Sequence, residues 1–392
     1  MKNLTKIEYE EITPQETGKA FKELVEFAKQ NPEILSFTRQ GNLKPQQYVG
    51  IIQTKSGFVL EILPKISDKN NKTKSKEILL KMLKTLKKSP FKHFQKANLK
   101  IEKLPLFEIF IFMFLEEVGV LIQKGIKSEY ISKEENLNFL KGKLKISQHI
   151  IKNITHKERF FVEYDEYLQN RIENQIIKTT LLFLQKKSKS SQNQQLIRQY
   201  LFIFDEIDKI FNIKTAFDKV NINRNLKHYE NVLLLSKIFL LNKSFSPYKG
   251  DNIVFALLFD MNKLFESYVG HCFKRANLNV NLQHQKHHLL TQNNTKYFKL
   301  KPDIYINDKN IILDTKWKQI NSQNDISQSD LYQMFAYVMR YDAQEVYLIY
   351  PKIANLKINE FKFDGTEKIL YIEFFDILDT KNNQKLYEKL QK

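Results

Sequence analysis

The sequence predicts a mixed α/β fold, with a C-terminal α/β core of a mixed sheet flanked by helices, a β-containing N-terminal domain and a helical connector. Three observations predict it. After about residue 253, apolar strand patterns alternate with amphipathic helical patterns, as in a sheet covered by helices. Near the N-terminus two strand patterns flank Ser56-Gly57, which indicates a hairpin. Between them, apolar clusters recur at helical spacing.

The length of the chain predicts more than one domain. A chain of 392 residues exceeds what one ordinary hydrophobic core supports, so we expect two or three domains. The segment 244–250 contains Pro247 and Gly250, as expected at a boundary. We predict an N-terminal domain with a basic segment at 1–160, a helical connector at 161–245 and a C-terminal domain at 246–392.

The N-terminal part mixes a helix with a hairpin. The pattern predicts one helix over 14–30 and paired strands at 49–53 and 58–62. From 69 to 103 lysines recur with few acids and with interleaved aromatic residues. Such a segment either tracks phosphate backbones or forms a solvated amphipathic helix, and the sequence leaves both interpretations open.

The middle of the chain is predicted to be helical from 161 to 241, with a polar loop at 188–193. The most apolar run, 104–122, contains Glu108, Glu116 and Glu117. Three acids interrupt it too often for a bilayer span, so we predict a buried helix with one polar edge.

Net charge and cysteine content indicate which binding partners and which cellular compartment to expect. Sixty-three basic residues against forty-four acidic ones give a formal charge of +19, which favours a polyanion such as nucleic acid. The abundance of Lys, Asn, Ile and Phe offers a compositional explanation for part of this excess. Cys272 is the one cysteine, and the first residues lack the apolar run of a signal peptide, so we expect a cytoplasmic protein.

Two acidic sites near the C-terminus predict a metal-dependent phosphodiester hydrolase. Asp303 and Asp314 lie on neighbouring strand patterns, and carboxylates that converge in this way suit Mg²⁺. We expect the carbonyl of Thr315 to complete the metal shell. Lys316 shares the side of Asp314 because strands alternate with period two. An ammonium there orients water and offsets charge that develops on phosphorus. The alternative is an ordinary ion pair at a strand end.

Two amphipathic helices supply further candidates. Glu266 lies beside the apolar stripe of a helix over 261–269 and either reaches the metal centre or forms a surface salt bridge. Gln333 and Tyr337 are four residues apart on a second helix over 329–337, where they steady the lysine or a phosphate, or simply pack in the core. A strand pattern at 345–351 follows.

These motifs resemble the PD-(D/E)xK nucleases that carry a Q-x-x-x-Y helix and, more narrowly, the McrC family of modification-dependent McrBC restriction systems. Lys301 stands where the family most often has arginine before Pro-Asp. The resembling C-terminal segments are L-F-E-S-Y-V (264–269), L-K-P-D-I (300–304), L-D-T-K-W-K (313–318), S-D-L-Y-Q-M-F-A-Y (329–337) and L-I-Y-P (348–351). The N-terminal ones are 49–53, 60–66, 140–144, 164–166 and 170–174.

The resemblance implies a nuclease core at 246–392 and partner binding at 1–160. It implies Mg²⁺-dependent hydrolysis of DNA, with Mn²⁺ as a substitute, in complex with an McrB-like AAA+ GTPase ring that this chain stimulates. No nucleotide-binding loop is found in the sequence, so GTP should bind the partner. Because one such site holds one strand, cleavage of both strands would need two nuclease domains, and dimerisation within the assembly is one way to provide them.

Two other functions remain open on sequence grounds. The first is a stand-alone or repair-type nuclease that shares only the C-terminal module. The second is a non-catalytic DNA-binding or ring-activating adaptor with a vestigial acidic cluster. Zinc binding by His284, His287 and His288 is disfavoured, because their spacing matches no usual ligand pattern and no cysteine accompanies them.

Overall fold

The structure is a computed structural model that describes residues 3–66, 71–86, 90–91, 104–241, 253–352 and 360–391. Its strands are β1 Asn3–Ile7, β2 Leu35–Phe37, β3 Leu43–Pro45, β4 Tyr48–Thr54, β5 Val59–Leu63, β6 Glu129–Leu137, β7 Lys143–Leu144, β8 Phe160–Leu168, β9 Ile253–Asp260, β10 Val280–Leu282, β11 His288–Gln292, β12 Thr295–Lys299, β13 Ile304–Ile306, β14 Ile311–Thr315, β15 Glu345–Pro351, β16 Phe361–Lys362 and β17 Ile369–Phe375. Its α-helices are α1 Pro14–Thr17, α2 Ala20–Gln30, α3 Lys72–Leu83, α4 Leu106–Lys124, α5 Ile146–Lys152, α6 Ile172–Lys187, α7 Ser191–Ile203, α8 Ile213–Lys219, α9 Glu230–Leu241, α10 Met261–Arg275, α11 Gln328–Tyr341 and α12 Gln384–Gln391.

The chain divides into two compact units. The first combines Met1–Leu106 with Asn242–Lys392, and the second is Phe107–Leu241. These bounds differ from the predicted three-part division, in which 1–160 formed one domain. The reason is that β9 pairs antiparallel with β4, from Tyr48 opposite Asp260 onwards. Backbone hydrogen bonds therefore join the N-terminal segment to the C-terminal core.

The N-terminal sheet has the strand order β1-β5-β4-β9. The predicted hairpin around Ser56-Gly57 is confirmed, since β4 and β5 are antiparallel and Gly57 has a φ of 81°. Gly50, in β4, has a φ of 133°, and a Cβ atom there would lie 2.0 Å from the carbonyl oxygen of Leu257 on β9. Only glycine permits this close approach of the two strands. The single helix predicted over 14–30 is instead two helices, because Gly18 has a φ of 58° between them.

A six-stranded mixed sheet forms the C-terminal core, in the order β10-β13-β14-β15-β17-β16. The pairs β14–β15 and β15–β17 are parallel, while β10–β13, β13–β14 and β16–β17 are antiparallel. Helix α11 packs on the sheet with its buried face against the apolar residues of β14 and β15, including Ile312, Val346 and Leu348. The predicted mixed α/β fold is confirmed.

The second unit combines a three-stranded sheet, β6-β8-β7, with the helices that follow Leu106. The helical prediction for 161–168 was wrong, because this stretch is strand β8, paired with β6 over nine positions. Helix α4 is buried as predicted, and its Glu108 accepts hydrogen bonds from Ser188 Oγ at 2.7 Å and Asn193 Nδ2 at 2.8 Å. Among the described helices, none has the length and apolarity needed to cross a bilayer.

Part of the predicted basic segment forms α3. This helix buries one apolar face, including Ile78, Leu79 and Leu83. Lys76, on the same helix, donates to the carbonyl oxygen of Leu104 at 2.8 Å and is 12% exposed. Residues 67–70, 87–89 and 92–103 lie outside the described residues, as does the predicted boundary at 244–250.

Candidate active site

The two predicted metal-binding aspartates face each other across neighbouring strands. Ile304 of β13 pairs with Leu313 of β14, so Asp303, directly before β13, lies opposite Asp314. Asp303 Oδ2 accepts hydrogen bonds from the backbone nitrogen of Thr315 at 2.8 Å and from its hydroxyl at 2.7 Å. The antiparallel register therefore brings both carboxyl groups together where β13 begins and β14 ends.

The predicted lysine is held between an acid and the Q-x-x-x-Y helix. Lys316 Nζ lies 2.6 Å from Asp314 Oδ2 and donates to Gln333 Oε1 at 2.9 Å. Gln333 Nε2 in turn donates to the Tyr337 hydroxyl at 2.8 Å. Burial opposes the charge on the ammonium, but the Asp314 carboxylate outweighs it and the pKa of Lys316 is raised. Four of the predicted site residues thus form one connected chain.

Glu266 reaches the same centre from α10. Gln283 Nε2 donates to Glu266 Oε1 at 2.9 Å. Burial, followed by the neighbouring charge of Asp303, raises the pKa of Glu266 to about 7. Burial, followed by Asp303, likewise raises the pKa of Asp314 to about 7, and burial raises the pKa of Asp303. Burial and neighbouring acids therefore raise these pKa values, and the positive charges of Lys316 and Lys301 offset only part of that effect.

The donor set fits a hard divalent cation. Asp314 is 1% exposed, yet within the described residues its Oδ2 makes no well-aligned hydrogen bond despite the nearby Lys316 ammonium. Asp303 and Asp314 are two neighbouring acids with raised pKa values that share one close ammonium, Lys316, and a further cation would relieve this environment. The described residues contain no cluster of three or more His, Cys, Asp or Glu side chains placed to hold a metal. The predicted set needs only two carboxylates and the Thr315 carbonyl.

Sequence reasoning missed the hydrogen bonds that hold Trp317, the residue after Lys316. Trp317 follows Lys316 and is 3% exposed, and its Nε1 donates to both carboxyl oxygens of Glu8, at 3.2 and 3.0 Å. Its backbone nitrogen donates to Asn262 Oδ1 at 3.1 Å. Burial raises the pKa of Glu8 to about 8. The isolated tryptophan beside the acidic triplet was the available signal, but its partner lies 309 positions away.

A second acid was also missed. Asp330 is 6% exposed near the start of α11, and its Oδ2 accepts from Lys318 Nζ at 2.6 Å. The Tyr350 hydroxyl lies 3.5 Å from the same oxygen. This ion pair ties the segment after β14 to α11, the helix that carries Gln333.

The histidines pack against aromatic rings. His284 stacks on Tyr305 at 4.6 Å between ring centroids, and its Nδ1 lies 3.1 Å from the Tyr341 hydroxyl. His287 contacts the Tyr341 ring, with 4.3 Å between ring centroids. These contacts give His284 and His287 a packing role at the base of the β11–β12 hairpin.

Comparison with known proteins agrees with this architecture. One match covers 99% of this chain and 99% of a chain in the half-complex from the tetradecameric assembly of Thermococcus gammatolerans McrB AAA+ hexamers with bound McrC, with a TM-score of 0.74 and 20% identity. A chain of the T. gammatolerans McrBC complex matches over 73% of this chain and 90% of that one, with a TM-score of 0.54 and 21% identity. At these identities the likeness establishes the fold.

The curated proteins include no match to the sequence. Residues 43–351 match the family model described as McrBC 5-methylcytosine restriction system component. The matched range contains both aspartates, Lys316 and the helix with Gln333 and Tyr337. Since it covers more than half of the chain, the protein belongs to the family of McrBC 5-methylcytosine restriction system components.

Proposed function

We propose that this chain is the McrC-like nuclease subunit of a type IV, modification-dependent restriction complex and hydrolyses DNA phosphodiesters. The observation that carries the proposal is the meeting of Asp303, Asp314 and Lys316 where β13 begins and β14 ends, with Gln333 hydrogen-bonded to the lysine. This set and its order match the PD-(D/E)xK pattern. A vestigial cluster would have no reason to keep Asp303 and Asp314 together in a buried environment that raises the pKa of both.

Each residue of the candidate active site has a separate role in the proposed hydrolysis. Asp303, Asp314 and the Thr315 carbonyl would hold Mg²⁺ or Mn²⁺, which when bound lowers the pKa of water and offsets charge on phosphorus. Thr315 orients the Asp303 carboxylate through two hydrogen bonds. Lys316 presents an ammonium, fixed by Asp314 and Gln333, to the scissile phosphate and the attacking water. Glu266 adds a carboxyl group on the helix side of the centre.

The partner is an AAA+ GTPase ring of the McrB type. One similar solved structure contains McrB AAA+ hexamers with bound McrC. In this chain the second unit exposes apolar side chains within the predicted partner-binding range, and a cluster of this kind marks a protein contact. Its members are Phe139, Leu140, Ile146, Ile150, Ile151 and Ile154, each 60–71% exposed. In the proposed assembly the ring translocates DNA, this chain stimulates GTP hydrolysis, and paired nuclease domains cut both strands.

Cleavage assays with the reconstituted complex test the proposal. Asp314→Ala and Lys316→Ala should abolish Mg²⁺-dependent cleavage of methylated DNA but leave GTPase stimulation intact. Unchanged cleavage would support the adaptor alternative instead. Robust cleavage by the chain without a motor would support a stand-alone nuclease. In a thermal melt, Mg²⁺ should raise the Tm of the native chain and not that of an Asp303→Asn/Asp314→Asn variant.

A further inference from the structure

The β11–β12 hairpin stands next to the candidate active site, and the proposed chemistry does not use it. Its two strands pair from His288 with Lys299 to Gln292 with Thr295, and every residue from 289 to 299 is exposed. The chain runs from it through Lys301 and Pro302 directly to Asp303. At about 3.3 Å per residue, five-residue strands extend roughly 17 Å from the root.

The root of the hairpin is fixed to the catalytic sheet and to α11. Leu300 donates its backbone nitrogen to the His287 carbonyl at 2.9 Å, and Arg340 Nε of α11 donates to the His288 carbonyl at 2.9 Å. The backbone nitrogen of Gln283, before the hairpin, donates to the Asp303 carbonyl at 2.8 Å. A ligand held by the hairpin is therefore held at a set position relative to Asp303.

The exposed surface of the hairpin combines aromatic rings with positive charge. Phe298 is 69% exposed and Tyr297 is 44% exposed. Phe298 also has a φ of 55°, a backbone conformation that a bulky residue adopts at a cost. From 284 to 301 the sequence contains four lysines and three histidines and no acid. Lysines bind phosphates, and exposed rings stack on bases or sugars regardless of sequence.

We propose that the β11–β12 hairpin is a DNA-holding element that positions the cleaved strand over Asp303 and Asp314. Lys296 and Lys299 contact the phosphate backbone, while Tyr297 and Phe298 pack against sugars and bases. A polyanion complements a segment without acids, and the catalytic centre at its root requires DNA nearby. The inference rests on the proposed function and names the surface through which the substrate is held.

Fluorescence anisotropy of a labelled duplex of about 20 base pairs with the full chain in EDTA tests the proposal, because binding is then measured without cleavage. Tyr297→Ala/Phe298→Ala should weaken binding about tenfold with an unchanged salt dependence. Lys296→Ala/Lys299→Ala should make the slope of log K against log salt less negative by about 1.8, from two lost phosphate contacts. Circular dichroism confirms that each variant is folded.

Matched controls lie on the second unit, where Phe211 is 87% exposed and Lys214 and Lys219 are exposed on α8. Phe211→Ala and Lys214→Ala/Lys219→Ala should bind DNA like the native chain. Native affinity and salt slope in both hairpin variants would overturn the inference, as would an altered oligomeric state with native DNA affinity. If the hairpin variants lose DNA affinity but the chain never cleaves DNA, the proposed function fails and the hairpin inference stands.

Discussion

At the scale of single residues, the position of the Lys316 ammonium depends on Gln333. The lysine has a flexible four-carbon stem, and the hydrogen bond to Gln333 and the charge of Asp314 restrict it. Tyr337 holds Gln333 in turn. The proposed nuclease site needs the Lys316 ammonium in one place, because a displacement near 1 Å costs much of the rate.

Gln333→Leu should therefore lower the cleavage rate of the reconstituted complex about 10- to 100-fold, with little change in Tm. The helix offers a matched control, since Gln328 Nε2 donates to Tyr332 OH at 2.6 Å in an exposed pair of the same spacing. Gln328→Leu should leave the rate unchanged. Equal rate losses in the two variants would show that α11 acts only as a packing element.

At the scale of elements, the buried contact between Glu8 and Trp317 links the N-terminal sheet to the end of β14. Glu8 is 1% exposed and also accepts from the backbone nitrogen of Lys65 at 2.9 Å. Its pKa is raised from 4.5 to about 8, chiefly by burial. The folded state therefore binds this proton more tightly than the unfolded state does.

The stabilising contribution of protonated Glu8 is complete below its unfolded pKa of 4.5 and is lost as the pH rises toward its folded pKa of about 8. At most it is on the order of 5 kcal/mol. The native chain should lose free energy of unfolding between about pH 5 and pH 9, and Glu8→Gln should reduce that loss. Urea titrations at several pH values, followed by the fluorescence of Trp317, the single tryptophan, measure the free energy of unfolding of the native chain and of Glu8→Gln. If the free energy of unfolding of Glu8→Gln depended on pH as that of the native chain does, the raised pKa of Glu8 would be contradicted.

The close pairing of β4 with β9 depends on Gly50. Gly50→Ala should destabilise the first unit by more than about 3 kcal/mol, because its Cβ would collide with the Leu257 carbonyl oxygen of a paired strand. Gly41 also has a positive φ, of 80°, but a Cβ atom there would meet no other atom within 4 Å, so Gly41→Ala should cost only about 1 kcal/mol. Thermal melts compare the two, and similar Tm losses would refute the steric argument.

At the scale of the whole molecule, the unit that contains the candidate active site is discontinuous in sequence. Residues 246–392 contain both aspartates and Lys316, but β9 within this range pairs with β4. Among the described strands β9 pairs with β4 alone, so separating the core from the N-terminal segment removes that pairing and exposes the apolar residues that β9 buries, including Phe255 and Leu257.

A fragment of residues 246–392 should therefore show no cooperative thermal transition, while the full chain melts cooperatively. Calorimetry and circular dichroism measure the difference. Adding a fragment of residues 1–66 in trans should restore some structure if β4 is the missing partner. A cooperatively folded and DNA-cleaving fragment 246–392 would instead support the stand-alone nuclease module.

Local sequence patterns predicted the local elements better than the long-range pairing. The hairpin at Ser56-Gly57, the strand at 345–351 and the helix with Gln333 and Tyr337 each depend on periodicity over a few residues, and the structure contains all three. The sequence predicts helix in place of strand β8 because the apolar residues at 160–162 precede a long helical pattern. Glu8 gives no such signal, since a single acid at the end of a β-strand has no local signature.

The sequence by itself determined the identity, order and spacing of the residues that form the candidate active site, because β-strand and helix periods place side chains on faces. Only the tertiary structure decided that β9 completes the N-terminal sheet, that Glu8 and Asn262 hold Trp317, and that 107–241 forms its own compact unit. The physical reason is that buried backbone and polar groups must be satisfied, and their partners are chosen by packing in three dimensions across distances that local periodicity does not encode.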